Sequence, residues 1–207
     1  MLKLFRKKNV ARLVLWGILI LILPAFVIWG SGSLGGSRDK GPKFVGLINN
    51  KKVSFDDFAD SLRAIRCQII LNYFNQPKLL DQFLNDKPFM GRLAWDRLIM
   101  AKETARQKIK VLDQDVINFI RSHPLFSRNG TFDEGIYSYI LRNNVGMDPR
   151  TFEEIVRENL AIKRLNDMLT KDIPADKKDK FLEDWLRRLE LTTSLNIDLK
   201  EYDKYYK

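Results

Sequence analysis

The sequence predicts a mostly α-helical domain with a small antiparallel sheet, preceded by one transmembrane helix. Three observations carry this reading. Apolar residues recur at steps of three and four through successive stretches after Ser54. Two short segments, 44–53 and 192–199, instead carry strand-like patterns. An uncharged run from Leu13 to Gly30 sits directly behind a basic N-terminus.

The N-terminus explains much of the net charge of +10, which comes from 36 Lys and Arg against 26 Asp and Glu in 207 residues. Lys3, Arg6, Lys7, Lys8 and Arg12 precede the first acidic residue, Asp39, so residues 38–207 hold 31 basic against 26 acidic groups. Residues 1–12 thus form a basic tip, and residues 13–30 span about 27 Å as a helix, close to the hydrocarbon thickness of a bilayer. Trp16 and Trp29 fall near its two ends, and Pro24 is tolerated in a membrane helix. The positive flank keeps the N-terminus cytoplasmic, so the expectation is a bacterial inner-membrane signal anchor with the following domain in the periplasm. A cleaved signal peptide shares the basic and apolar regions. Its apolar stretch is usually only about 7 to 15 residues, however, and Ser31-Gly32-Ser33 is a poor cleavage site.

Residues 31–42, rich in Gly and Ser, read as a flexible linker. A hairpin follows, with strands either side of Asn49-Asn50, and Ser54 caps a helix whose buried stripe is Phe55, Phe58, Leu62, Ile65, Ile69 and Tyr73. Asn75-Gln76-Pro77 breaks the pattern, and a second long helix runs from about Phe89 to Lys110. Asp113 caps a short third helix ended by His123-Pro124. Asn129-Gly130 is a turn, a fourth helix carries Ile136, Tyr137, Ile140 and Leu141, and Gly146 closes it. Asp148 and Pro149 start a fifth helix with Met147 and Phe152 as a staple and a stripe of Phe152, Ile155, Val156, Leu160, Leu165, Met168 and Leu169. Residues 175–189 form a sixth helix, and Leu195, Ile197 and Leu199 alternate as in a strand. A lone hairpin is unstable in water, so the strand at 192–199 should join the hairpin at 44–53.

Little in the chain points to catalysis. One Cys (Cys67) and one His (His123) cannot make a Cys-His or His-His metal set, and no phosphate-binding loop or nucleophile elbow is present. No cofactor or metal is expected, and the protein reads as no enzyme. The carboxylate pairs Asp56-Asp57, Asp133-Glu134 and Glu153-Glu154 each fall near the opening of a helix, where capping and dipole complementarity explain them. Mixed charge signs after residue 38 argue against nucleic acid as a partner. Aromatic residues in or beside connections remain, and these can offer a forgiving apolar surface to unfolded chains.

The order of these signals resembles the SurA/PpiD family of envelope chaperones. The resemblance is carried by Val45-Gly-Leu-Ile-Asn-Asn-Lys-Lys-Val-Ser54, Leu98-Ile99, Asp113 to Ile120, His123-Pro-Leu-Phe126 and Asn129-Gly-Thr-Phe-Asp133. Tyr137, Leu141, Gly146-Met-Asp-Pro149, Phe152-Glu153 and Val156-Arg-Glu-Asn-Leu160 continue it. It implies a SurA N-terminal-like chaperone domain over residues 43–199, followed by a tail at 200–207. Family members usually turn on a glycine before the third helix, where Lys110-Val111 stands here. The parvulin isomerase domain of the family is not recognisable in these 207 residues, so the expectation is holding without prolyl isomerisation.

The implied clients are unfolded or newly translocated polypeptides, with Phe74, Phe83, Phe89, Phe126, Phe132 and Tyr137 as the candidate contact set. The alternative is a structural subunit that binds one folded envelope partner, such as a translocon component.

Overall fold

A computed structural model describes residues 43–205; residues 1–42, which hold the expected basic tip, transmembrane segment and linker, lie outside the described residues. Strands β1 (Gly46–Ile48) and β2 (Lys51–Val53) form the expected hairpin. Asn49 and Asn50 turn it with φ of 50° and 60°, the left-handed pair that a two-residue hairpin requires. Strand β5 (Thr193–Leu195) joins the other edge of β1, giving the order β2-β1-β5. All pairs are antiparallel, with Gly46 opposite both Val53 and Leu195. The two ends of the domain therefore meet, as the instability of a lone hairpin requires. Only three residues of the expected 192–199 pair as strand, yet Ile197 beyond them is buried.

Helix α1 (Phe55–Tyr73) starts where Ser54 Oγ accepts the Asp57 N–H at 3.0 Å. Its expected stripe packs as one face: Phe58, Ile65 and Ile69 are buried, and Phe55, Leu62 and Tyr73 pack against them. The break read at Pro77 is instead the first residue of a separate helix, α2 (Pro77–Asn85). Proline lacks the N–H that a first turn leaves unpaired, so it starts a helix as readily as it stops one.

Helix α3 (Lys87–Arg106) follows, its start capped by Asp86 Oδ1, which accepts the Phe89 N–H at 3.0 Å. Ser61 Oγ donates to the Ala94 carbonyl at 2.8 Å, tying α1 to α3. Helix α3 ends on Lys108, at φ 55°, with the Ile109 N–H bonded to the Thr104 carbonyl at 3.0 Å. A lysine thus takes the left-handed position that usually falls to glycine.

Helix α4 (Asp113–Ser122) is capped by Asp115, not Asp113: the Asp115 carboxylate accepts the Leu112 N–H at 2.8 Å. Asp113 instead meets Arg157 at 2.6 Å. The two-residue strands β3 (Ser127–Arg128) and β4 (Thr131–Phe132) flank the Asn129-Gly130 turn. Helix α5 (Glu134–Ile140) runs into a wide turn that ends on Gly146 at φ 72°. Helix α6 (Pro149–Leu169) is capped by Asp148 as expected, although Met168 of its predicted stripe is half exposed. A short 3₁₀ turn at Ala175–Lys177 leads into α7 (Lys178–Glu190).

Two apolar cores result. One joins the sheet to α1, α2 and α3, with Leu186 and Leu189 of α7 and Ile197, Leu199 and Tyr202 beyond β5 in or against it. The other gathers Val116 and Ile120 of α4, Phe126, Tyr137, Ile140 and Leu141, and Phe152 and Val156 of α6 around Cys67. Helix α1 contributes to both. Among the described residues no helix is long and apolar enough to cross a membrane.

Candidate apolar binding site on helix α1

Two cavities open beside α1. One, of about 210 Å³, is lined by Ile65, Ile69 and Tyr73 of α1, Phe83 of α2 and Phe89 and Leu93 of α3. The other, of about 230 Å³, lies between α1, α4 and α6 and is lined chiefly by Cys67, Leu71, Phe119, His123, Ile155 and Leu160. Gln68 and Asn72 line both. At 100° per residue the α1 residues that line one cavity alone, Ile65, Ile69 and Tyr73 against Cys67 and Leu71, centre about 180° apart around the helix, with the exposed amides of Gln68 and Asn72 on the ridge between them. At a side-chain radius of about 5 Å this separates the cavities by about 10 Å.

The aromatic wall of the first cavity is ordered by ring contacts. Phe83 stacks on Phe89 at 5.5 Å between centroids and tilts against Tyr73 at 4.8 Å. Phe89 keeps 37% of its surface exposed. In the second cavity Phe119, 38% exposed, stands 6.0 Å from the His123 ring. His123 Nδ1 accepts the Leu125 N–H at 3.3 Å, which fits the turn role expected of it, and burial lowers its pKa toward the neutral ring. Burial pushes the Cys67 thiol up to about 12, so it packs as a small apolar group. Lys163 is the charged residue on this rim, tied to Asp167 at 2.7 Å.

The six aromatic residues expected to contact a client divide. Phe83 and Phe89 line the first cavity, and Phe74 lies half-buried just past the end of α1. Phe126 is wholly buried, edge-on to Tyr137 at 5.2 Å and to Phe152 at 5.7 Å. Phe132 is half-buried against Tyr137 at 5.7 Å. Tyr137 is 8% exposed, and burial pushes its hydroxyl up to about 12. Phe126, Phe132 and Tyr137 thus share one aromatic cluster at the second core, with Phe126 and Tyr137 inside the surface and Phe132 partly exposed at its edge. Sequence reasoning missed Gln68, Asn72, Phe119 and Leu160. The available signal was that Gln68 and Asn72, four apart, separate the stripe Ile65-Ile69-Tyr73 from a second one at Cys67 and Leu71.

A larger cleft, about 590 Å³, has a mixed lining, with Arg63, Arg142, Asp148 and Thr151 beside Leu141, Met147 and Pro149. Two of its charged groups are engaged: Arg63 with Asp60 at 2.9 Å, and Asp148 with the Thr151 N–H at 3.0 Å. Among the described residues no cluster of His, Cys, Asp and Glu could hold a metal ion.

No curated protein and no solved structure matches the chain. Residues 1–166 match the SurA-like N-terminal domain family, which covers the hairpin, both cavities and nearly all of α6. The chain belongs to the SurA-like N-terminal domain family.

Proposed function

We propose that the protein holds unfolded or newly translocated envelope polypeptides on the face of α1, tethered to the inner membrane by residues 13–30 and acting in the periplasm without prolyl isomerisation. The family points to a chaperone-like or interaction role in periplasmic protein folding, and its domains generally bind unfolded polypeptides. The observation that carries the reading is the pair of side-chain-sized apolar cavities either side of an amide ridge. Alternate residues of an extended chain lie about 6.6–6.8 Å apart on the same face. An extended client crossing α1 therefore needs about two such steps to reach from one cavity over the ridge to the other, while Gln68 and Asn72 reach its backbone amides.

Holding is reversible burial worth about 25 cal/mol per Å², with no covalent step. Anchoring raises the local concentration of the holder near emerging chains, so weak affinity suffices.

The test is suppression of aggregation of an unfolded client by the full-length protein, wild type against Phe119→Ser, with circular dichroism to confirm folding. Phe119 is a rim residue, and its loss should weaken holding by about ten-fold. Suppression by neither protein, or a single saturable complex with one folded envelope partner, would favour the role of structural subunit.

A further inference from the structure

Helix α7 and strand β5 lie beyond the stretch that matches the family, and two carboxyl groups meet where they join the rest of the fold. Asp96 of α3 and Glu190, the last residue of α7, both engage the guanidinium of Arg92. Arg92 Nε donates to Asp96 at 3.2 Å, and its NH2 group donates to Glu190. The carboxylates are largely covered, with side-chain exposures of 20% and 22%, whereas Arg92 keeps 56%. Both Asp96 oxygens lie 3.2 Å from Arg92 Nε, and the buried Oδ1 has this ion pair without a hydrogen bond of its own. Two covered carboxylates with one shared cation leave a negative charge undercompensated, and a proton between them relieves it.

The position of the pair gives it leverage. Thr193 Oγ1 donates to the Glu190 carbonyl at 2.8 Å, so the end of α7 and the start of β5 are one joint. From that joint β5 pairs with β1, where the Asn196 N–H reaches the Val45 carbonyl at 2.8 Å. Trp95, beside Asp96, is buried in the core under Gly46.

We infer that Asp96, Glu190 and Arg92 form an acid-tightened clasp that fastens the α7–β5 segment to the domain and loosens it as the surroundings become neutral. Arg92 on α3 and Glu190 on α7 are the charged groups acting on Asp96. Strand β5 presents Thr193, Ser194 and Leu195, none of them titratable. Burial raises the Asp96 carboxyl to about 6; Arg92 opposes the rise and Glu190 adds to it. A carboxyl raised in the closed state binds its proton more tightly there than when the segment opens. Closure therefore strengthens as pH falls through 6 toward the ordinary value of 3.8, and weakens above 6.

The test is hydrogen exchange of the full-length protein at pH 5 and pH 7.5, corrected for intrinsic exchange rates. Wild-type amides at 193–196 should be about ten-fold better protected at pH 5. Asp96→Asn keeps the shape and removes the charge, so its protection should be the same at both pH values. Glu190→Gln leaves Arg92 to Asp96 alone and should move the transition to lower pH. Protection of 193–196 that does not change with pH in the wild type, or an unchanged pH dependence in Asp96→Asn, would overturn the clasp.

Discussion

Single residues carry much of the architecture, and their roles separate into those that show in a sequence and those that do not. Caps show: Ser54 and Asp148 are short polar residues directly before apolar periodicity, and both accept the expected N–H. Asp113 looked equally suited, yet Asp115 caps α4, because two carboxylates two positions apart compete and only the path of the chain decides between them. Lys108 was invisible, since nothing in its type announces a positive φ. Glycine there removes the steric cost of the left-handed conformation, so Lys108→Gly should stabilise the domain by about 0.5–1 kcal/mol in denaturant unfolding. Phe126 is the reverse case. A residue flanked by turn signals reads as surface, but the 3₁₀ turn at Pro124–Phe126 points its ring into the second core. Phe126→Ala should cost about 3–5 kcal/mol by the same measurement. Cys67, covered and fully protonated, should resist thiol reagents in the native protein and react once denaturant unfolds it.

At the scale of elements, periodicity and strand chemistry were legible and junctions were not. The stripe of α1 and the Asn49-Asn50 hairpin follow from spacing of 3.6 and from turn residues that tolerate positive φ. The third strand followed from physical need, because the hairpin had to be completed and residues 192–199 offered alternation. Helix α2 was missed because Pro77 is as good a start as a stop. The β1–β5 junction depends on Gly46: a Cβ there would lie 2.2 Å from the Ser194 carbonyl oxygen and 2.8 Å from the Trp95 ring. Gly46→Ala should therefore part β5 from β1, at a cost of about 1–3 kcal/mol, with protection of the 193–196 amides lost and that of α6 retained. Exchange measured peptide by peptide distinguishes this from general unfolding.

Across the whole domain, α1 is the shared wall of two cores, and the candidate site is a consequence of that arrangement. Its two apolar stripes serve the two cores, and the gap between them leaves Gln68 and Asn72 exposed between two cavities. None of this is legible one residue at a time. The cavities are bounded by α2, α3, α4 and α6, whose approach to α1 depends on packing that periodicity does not specify. Sequence reasoning located aromatic residues beside connections and so found Phe83 and Phe89, while Phe119 and Leu160, lying within helices, looked like ordinary stripe or surface positions. The central claim is that α1 holds unfolded chains across this ridge. Its most direct test places a photo-reactive residue at position 68, and at position 187 on α7 as a control, in the full-length protein mixed with one client in unfolded and folded forms. The account predicts crosslinks from position 68 to the unfolded client alone and few from position 187. Equal crosslinking from both positions, or capture of the folded client as efficiently as the unfolded one, would contradict it.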